Sequence, residues 1–185
     1  MNKTNVKQHL RRTFSALAII GALFTLPQAR AGQPAPNMHG FSTDCENLIS
    51  LQHVGPNTII VLDETATFYP PPPPLPACYF TGTSVGTERD VFHDGSVTLQ
   101  ASHVFTGSVT LNGSVRSGTM TISLVATFAL NGTEVTQWVV DQGTGDLAGI
   151  SGQGTILSDQ ELGPMGVCAW DRFTLEWAGH IHFGP

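Results

Sequence analysis

Positive charge is scarce in this sequence, and most of it sits at one end. Of the eight Lys and Arg residues, five (Lys3, Lys7, Arg11, Arg12 and Arg30) precede residue 32, leaving only Arg89, Arg116 and Arg172 beyond it. All fourteen Asp and Glu lie after residue 31, so that part of the chain carries a net charge of −11 with its histidines neutral. A phosphate backbone has to be met by a stripe of Lys and Arg, so the reading is no nucleic acid as a partner and no anionic membrane surface. Long apolar runs are also missing. Residues 14–26 fall short of the roughly 20 needed to cross a bilayer, and nothing later is apolar enough, so no membrane span is expected. Also absent are the Gly-x-Ser-x-Gly elbow, His-Glu-x-x-His and Cys-x-x-Cys, which leaves the common hydrolase, metalloprotease and redox readings without support.

What is present at the N-terminus reads as an export signal. Lys3, Lys7, Arg11 and Arg12 form a basic head, residues 14–26 an apolar middle, and Ala29-Arg30-Ala31 a small-x-small cleavage site. Residues 1–31 are therefore set apart from the fold, and the expected location is periplasmic or secreted after cleavage near Ala31. Arg11-Arg12-Thr13-Phe14 also resembles a twin-arginine signal, so both export routes stay open. The remaining length fits one domain. Three cysteines, Cys45, Cys78 and Cys168, meeting an oxidising compartment make one disulfide and one free thiol. Of the three pairings, Cys45 with Cys78 is preferred, leaving Cys168 free and buried.

Helical periodicity is nearly absent after residue 31, whereas period-two alternation recurs. Met120, Ile122, Leu124, Ala126, Phe128 and Leu130 alternate with mostly Thr and Ser, and Val97, Leu99, Ala101, His103 and Phe105 do the same. Near the end Phe173, Leu175, Trp177, Ile181 and Phe183 oppose Arg172, Thr174, Glu176, His180 and His182. Residues 58–68 form a further strand. Asn112-Gly113, Asn131-Gly132 and Asp94-Gly95 supply the positive φ angles of type I′ turns, so consecutive hairpins give a meander. Residues 70–76, rich in proline, make a stiff surface loop that cannot donate to a ladder. Residues 32–56 read as an N-terminal lead-in, and residues 57–185 as the barrel domain.

Between Val139-Val140 and Thr155-Ile156, Gly143, Gly145, Gly149, Gly152 and Gly154 let the backbone turn sharply where a Cβ would clash, freeing Leu147 and Ile150 to plug one end of a closed sheet. The spacing misses G-x-G-x-x-G and no lysine follows, which argues against a nucleotide; no cofactor is expected. This run resembles the superfamily of small β-barrels that includes allene oxide cyclases, dirigent proteins and an uncharacterised bacterial domain-of-unknown-function family. The bacterial family is the closest match. Phe105-Thr106-Gly107, Gly118-Thr119-Met120 and Phe173-Thr174-Leu175-Glu176-Trp177 add to the likeness, which covers about residues 95–180. It implies an all-β fold, a closed antiparallel barrel of about eight strands with an apolar interior, and a homo-oligomer, often a trimer. It transfers no catalytic residue.

Eight strands leave room for packed side chains or one small ligand. The leading expectation is a barrel that holds a small apolar molecule against Met120, Ile122, Leu124, Phe128, Phe173, Leu175 and Trp177. The alternative is a cyclase or isomerase that folds a substrate inside the barrel, with His103 or Glu176 assisting, and a third reading is an envelope oligomer without ligand. His103 shares the register of Val97, Leu99 and Phe105 and so points inward, where a backbone partner is expected for it. His180, His182 and Glu176 share a strand face that could offer ligands to zinc, but an outward polar face is the preferred explanation, and no metal is assigned. Glu134, Asp141 and Asp146 read as turn caps.

Overall fold

The computed structural model describes residues 37–130 and 134–184. Eight strands follow in chain order: β1 (Met38–Val54), β2 (Asn57–Tyr69), β3 (Cys78–His93), β4 (Ser96–Leu111), β5 (Ser114–Ala129), β6 (Gln137–Gly145), β7 (Ile150–Glu161) and β8 (Asp171–Phe183). Each is antiparallel to the next, and β8 returns to β1 to close the barrel. The expected all-β closed barrel is therefore the observed one. Among the described residues no helix is long and apolar enough to cross a membrane. The export segment 1–31 and the Asn131-Gly132 turn lie outside the described residues.

The two other hairpin turns have the geometry their sequences demand. Asp94-Gly95 adopts φ of 44° and 78°, and Asn112-Gly113 φ of 50° and 81°, the left-handed pair that matches the twist of adjoining strands. One boundary needs correction. Most of the segment read as a lead-in, residues 32–56, is β1, and it sits between β2 and β8. Its inward positions are Met38, Gly40, Ser42, Asp44 and Glu46, so the apolar alternation that announces a half-buried strand is missing.

Directly paired residues trace the wall from Asp171 on β8 through Glu46, Glu64, Gly86, His103, Ile122, Val140 and Gly152 to Ile181. The row ends on the strand where it began, ten residues further along. Such a stagger is what tilts the strands of a closed barrel and sets its bore. The same row crosses the interior from an acidic region to an apolar one.

The apolar end is packed solid. Leu147 is fully buried in the turn between β6 and β7, where its N–H donates to Thr144 O (3.2 Å) and its carbonyl accepts from Ile150 N–H (3.0 Å). Above it Phe68, Phe80, Phe105, Trp138 and Trp177 stack edge-on and tilted, with ring centroids 5.4–6.2 Å apart. Two bare patches of wall make room for these rings. A Cβ on Gly154 or Gly179 would collide with the Trp138 indole, and one on Gly82 or Gly107 with Phe105. The glycines of the β6–β7 run serve the same end: Gly145 and Gly149 take φ of 64° and 77°, and Gly143 and Gly152 lie against Leu147 and Ile181.

The disulfide joins Cys45 to Cys168, 123 residues apart, and not to Cys78. Cys45 points outward from β1, between the inward Asp44 and Glu46, and meets the loop before β8 as that loop crosses the barrel exterior. Cys78 faces inward at the sealed end, where β1 contributes Met38 instead. Burial pushes the Cys78 thiol up to about 12, so it is an unreactive part of the core.

The sealed end should therefore be highly sensitive to Trp138. Replacing it with Ala is expected to cost about 3–5 kcal/mol, by lost transfer and cavity energy. Gly154→Ala should also destabilise, because its Cβ and the indole claim one space. Urea unfolding of both variants measures this.

Candidate functional site

The inward face changes character halfway up the barrel. Asp171, Glu46 and Glu64 stand directly opposite one another on β8, β1 and β2, an arrangement that destabilises a sheet when all three are charged. Glu88 and Asp90 continue the acidic wall on β3, and Asp44 lies one inward position deeper on β1. Glu46, Glu64 and Glu88 each offer a carboxylate oxygen, and the three oxygens lie within 4.8 Å of one another.

His103 is the one imidazole in this wall. Its Nε2 lies 2.6 Å from Glu64 Oε2, with both side chains 6% exposed, and its Nδ1 lies 3.3 Å from Ser84 Oγ. The pair forms across β3 because Gly86 stands between them in the row: a Cβ there would sit 2.8 Å from His103 Cγ. Burial pulls the imidazole toward neutrality, but the hydrogen bond and charge of Glu64, with the charge of Asp44, outweigh it and raise the His103 pKa. The partner is thus a carboxylate, where a backbone group was expected.

The carboxyls are strongly perturbed. Burial lifts Asp44 to about 7, with the Ser42 hydrogen bond resisting and Glu64 reinforcing the shift. Ser42 accepts from Trp177 Nε1 (3.0 Å) and donates to Asp44 Oδ1 (2.6 Å), tying the acidic wall to the aromatic core. Burial and neighbouring negative charge push Glu46 and Glu88 well above the usual carboxylate range. Asp90 rises to about 7, again mainly through burial. Asp44 and Asp90, raised to about 7 beside a paired imidazole, can donate or accept protons near neutral pH.

Flanking this wall, β4 and β5 contribute Leu99, Ala101, Leu124, Ala126 and Phe128 on one side, with Leu99 paired to Asp90 and Ala101 to Glu88, and β8 adds the half-buried Phe173, paired to Asp44, and Leu175 on the other. Residual exposure inside the barrel concentrates here. Glu46 is 8% exposed, Glu88 9%, Leu99 9% and Phe128 9%, whereas Phe105, Val109, Trp138 and Leu147 are at 0%.

The seven residues expected to line a ligand thus separate by height. Leu124, Phe128, Phe173 and Leu175 lie in this half, while Met120, Ile122 and Trp177 are locked into the packed end. Glu176 faces outward and pairs with His39 Nε2 at 2.7 Å, so it cannot assist chemistry within the barrel. His182 bonds Ser151 Oγ (2.8 Å), and His180, His182 and Glu176 do not converge. Glu134 accepts from Thr136 Oγ1 (2.6 Å). Sequence reasoning missed Asp44, Glu46, Ser84, Glu88 and Asp90. It passed over Glu64 although that residue shares the inward register of Ile60, Leu62, Ala66 and Phe68, a carboxylate among apolar partners and a readable signal.

No family model matches the sequence, and no curated protein matches it. Among solved structures the chain is similar to a protein of unknown function from the DUF3224 family of Shewanella oneidensis MR-1, at a TM-score of 0.51 and 17% identity over 80% of this chain and 97% of that one. It is also similar to the pterocarpan synthase dirigent protein GePTS1, at a TM-score of 0.40 and 12% identity over 79% and 88% of the two chains. The likeness to the DUF3224-family structure is one of fold, the same small antiparallel barrel.

Every resolved shift in the wall acts in one direction on stability. A carboxyl whose folded pKa exceeds its unfolded value near 4 favours the folded state at low pH and loses that advantage as pH rises through its folded pKa. His103, raised by Glu64, likewise stabilises below its unfolded pKa near 6.5 and ceases to as pH passes its folded value. The melting temperature should fall from about pH 4, where the unfolded carboxyls ionise, to about pH 8, just above the folded values of about 7 for Asp44 and Asp90, in buffer of constant ionic strength. Asp44→Asn should flatten the curve.

Proposed function

We propose that the protein is an exported barrel that binds a small, largely apolar molecule in the half of its interior facing away from Leu147. The observation that carries this reading is the pairing of two unlike walls there. Leu99, Leu124, Phe128, Phe173 and Leu175 offer an apolar surface, and the carboxyls of β1–β3 border it, Asp90 beside Leu99 and Asp44 beside Phe173. A site of this kind takes the body of a ligand by area and orients it with a few polar groups. Export is supported by the Cys45–Cys168 disulfide, which persists in an oxidising compartment.

Displacement of an apolar fluorescent dye tests binding. Leu124→Trp, which fills the proposed volume, should weaken dye binding at least tenfold, about 1.4 kcal/mol. Val85→Ser on the outer wall should leave it unchanged. An interior that refuses every probe sinks the proposal.

The His103–Glu64 pair favours a second reading, a cyclase or isomerase in which the imidazole moves a proton at the bound substrate. Turnover of polyunsaturated substrates that is lost in Glu64→Gln, with dye binding intact, would select it.

Self-association belongs to the same proposal. The outward positions of β4 and β5, residues 98–110 and 117–127, carry no charged side chain, and Val104, beside Val85 of β3, and Val125 are half exposed. Interface centres are depleted of charge, and two copies each carrying −11 can approach only where charge is absent. Light scattering should report an oligomer, and Val104→Glu should yield the monomer.

A further inference from the structure

We propose that Met165 is a site of reversible oxidation by peroxide, and that Arg172 holds its sulfoxide, so that oxidation fastens the loop between β7 and β8 to the barrel. The methionines differ sharply in access. Met38 and Met120 are 1% and 2% exposed inside the packed end, whereas Met165 is 61% exposed on that loop. The free thiol of Cys78 is fully buried and does not compete for the oxidant. Oxidation of sulfur follows exposure, which singles out Met165 among the described residues.

The loop keeps this side chain against one partner. Met165 and Cys168 exchange two backbone hydrogen bonds of 3.1 Å around a tight turn in which Gly166 takes a φ of 61°. Cys168 is bonded to Cys45, and Ala169 N–H donates to Asn47 Oδ1, so the far side of the turn is pinned to β1. The near side is pinned to β8, where Leu162 N–H donates to Arg172 O (2.7 Å). Arg172 Nη1 then lies 3.8 Å from Met165 Sδ.

That guanidinium is poorly served. A thioether is a weak acceptor, and Arg172 Nε is buried with no hydrogen-bond partner among the described residues. Oxidation moves one oxygen from hydrogen peroxide to Sδ: a sulfur lone pair forms the S–O bond, the O–O bond breaks, and the second oxygen leaves as water. Sulfur gives up two electrons and the peroxide takes them. The unbranched side chain rotates freely enough to turn the new oxygen toward Nη1, where it accepts a hydrogen bond from a charged donor, roughly twice as strong as a neutral one. Sulfoxide formation disrupts an apolar core, but Met165 is mostly exposed and has little packing to lose. A sulfoxide reductase reverses the step, its dithiol becoming a disulfide as the oxygen leaves in water.

The test treats the disulfide-bonded protein with hydrogen peroxide, maps the oxygen by peptide mass spectrometry and reads the melting temperature before and after. Wild type should gain one oxygen at Met165 at least about tenfold faster than at Met38 or Met120. Once oxidised it should melt at least about 2 °C higher, and a methionine sulfoxide reductase should return it to its starting value. Arg172→Leu should gain the same oxygen without the rise, and Met165→Leu should show no shift. Each variant is compared with its own untreated sample, so a lower starting stability leaves the reading intact. Oxidised wild type that melts at or below its untreated value overturns the proposal. So does an equal rise in Arg172→Leu, or oxygen entering Met38 or Met120 as fast as Met165.

Discussion

Closure of β8 on β1 is the constraint from which the remaining features follow. A sheet that ends on itself has no free edge, and its bore is fixed by strand number and stagger, here eight strands offset by the ten residues separating Asp171 from Ile181. A bore of that size has to be filled by side chains or left for something else. At the Leu147 end it is filled, and more ring volume enters than the wall would ordinarily admit, because Gly82, Gly107, Gly154 and Gly179 give up their own side chains to Phe105 and Trp138. The same device recurs higher up with a different result. Gly86 leaves the gap through which His103 reaches Glu64, so one structural habit packs an aromatic core at one level and assembles a polar pair at another.

The two halves make opposite contributions to stability. Burying aromatic rings against bare backbone is favourable by area and by ring geometry. Burying Asp44, Glu46, Glu64, Glu88 and Asp171 is unfavourable unless each is paired or neutral, and a single imidazole serves the group. The packed end is thus what makes the acidic half affordable, and the Trp177–Ser42–Asp44 chain of hydrogen bonds is where the two meet. A segment that works against its own stability is most simply explained by use, since side chains selected only for folding would have continued the apolar pattern of β4 and β5 around the ring.

That pattern also explains which features could be read from the chain. β4, β5 and β8 present apolar residues at alternate positions, and Asp94-Gly95 and Asn112-Gly113 fix two hairpins, so the meander was legible, while its closure was implied by the resemblance to small β-barrels. β1 and the second half of β3 were not. Their inward residues are Ser42, Asp44 and Glu46, and Ser84, Gly86, Glu88 and Asp90, which erase the alternation where the candidate site is built. Periodicity also assigns a face and never a height. Met120, Ile122 and Trp177 were therefore grouped with Leu124, Phe128, Phe173 and Leu175, although the barrel buries the first three in its packed end. The Cys45–Cys168 pairing was hidden for a related reason: it joins β1 to a loop that becomes its neighbour only once the ring is closed.

The position of that bond suggests why it is there. Carboxyls facing one another inside the barrel repel across β1 whenever neighbouring ones ionise, since Glu46 has Glu64 on one side and Asp171 on the other. Cys45 lies between Asp44 and Glu46 on the opposite face, and the loop it holds adds two contacts at the same level, Ala169 N–H to Asn47 Oδ1 (2.8 Å) and Trp170 N–H to Glu46 O (3.0 Å). Closing a loop of 123 residues is worth about 5 kcal/mol on the chain-entropy model, among the larger single contributions available to a domain of this size. Placed here, it clamps from outside the segment of β1 that carries the carboxyls inside, opposing any repulsion that their ionisation sets up.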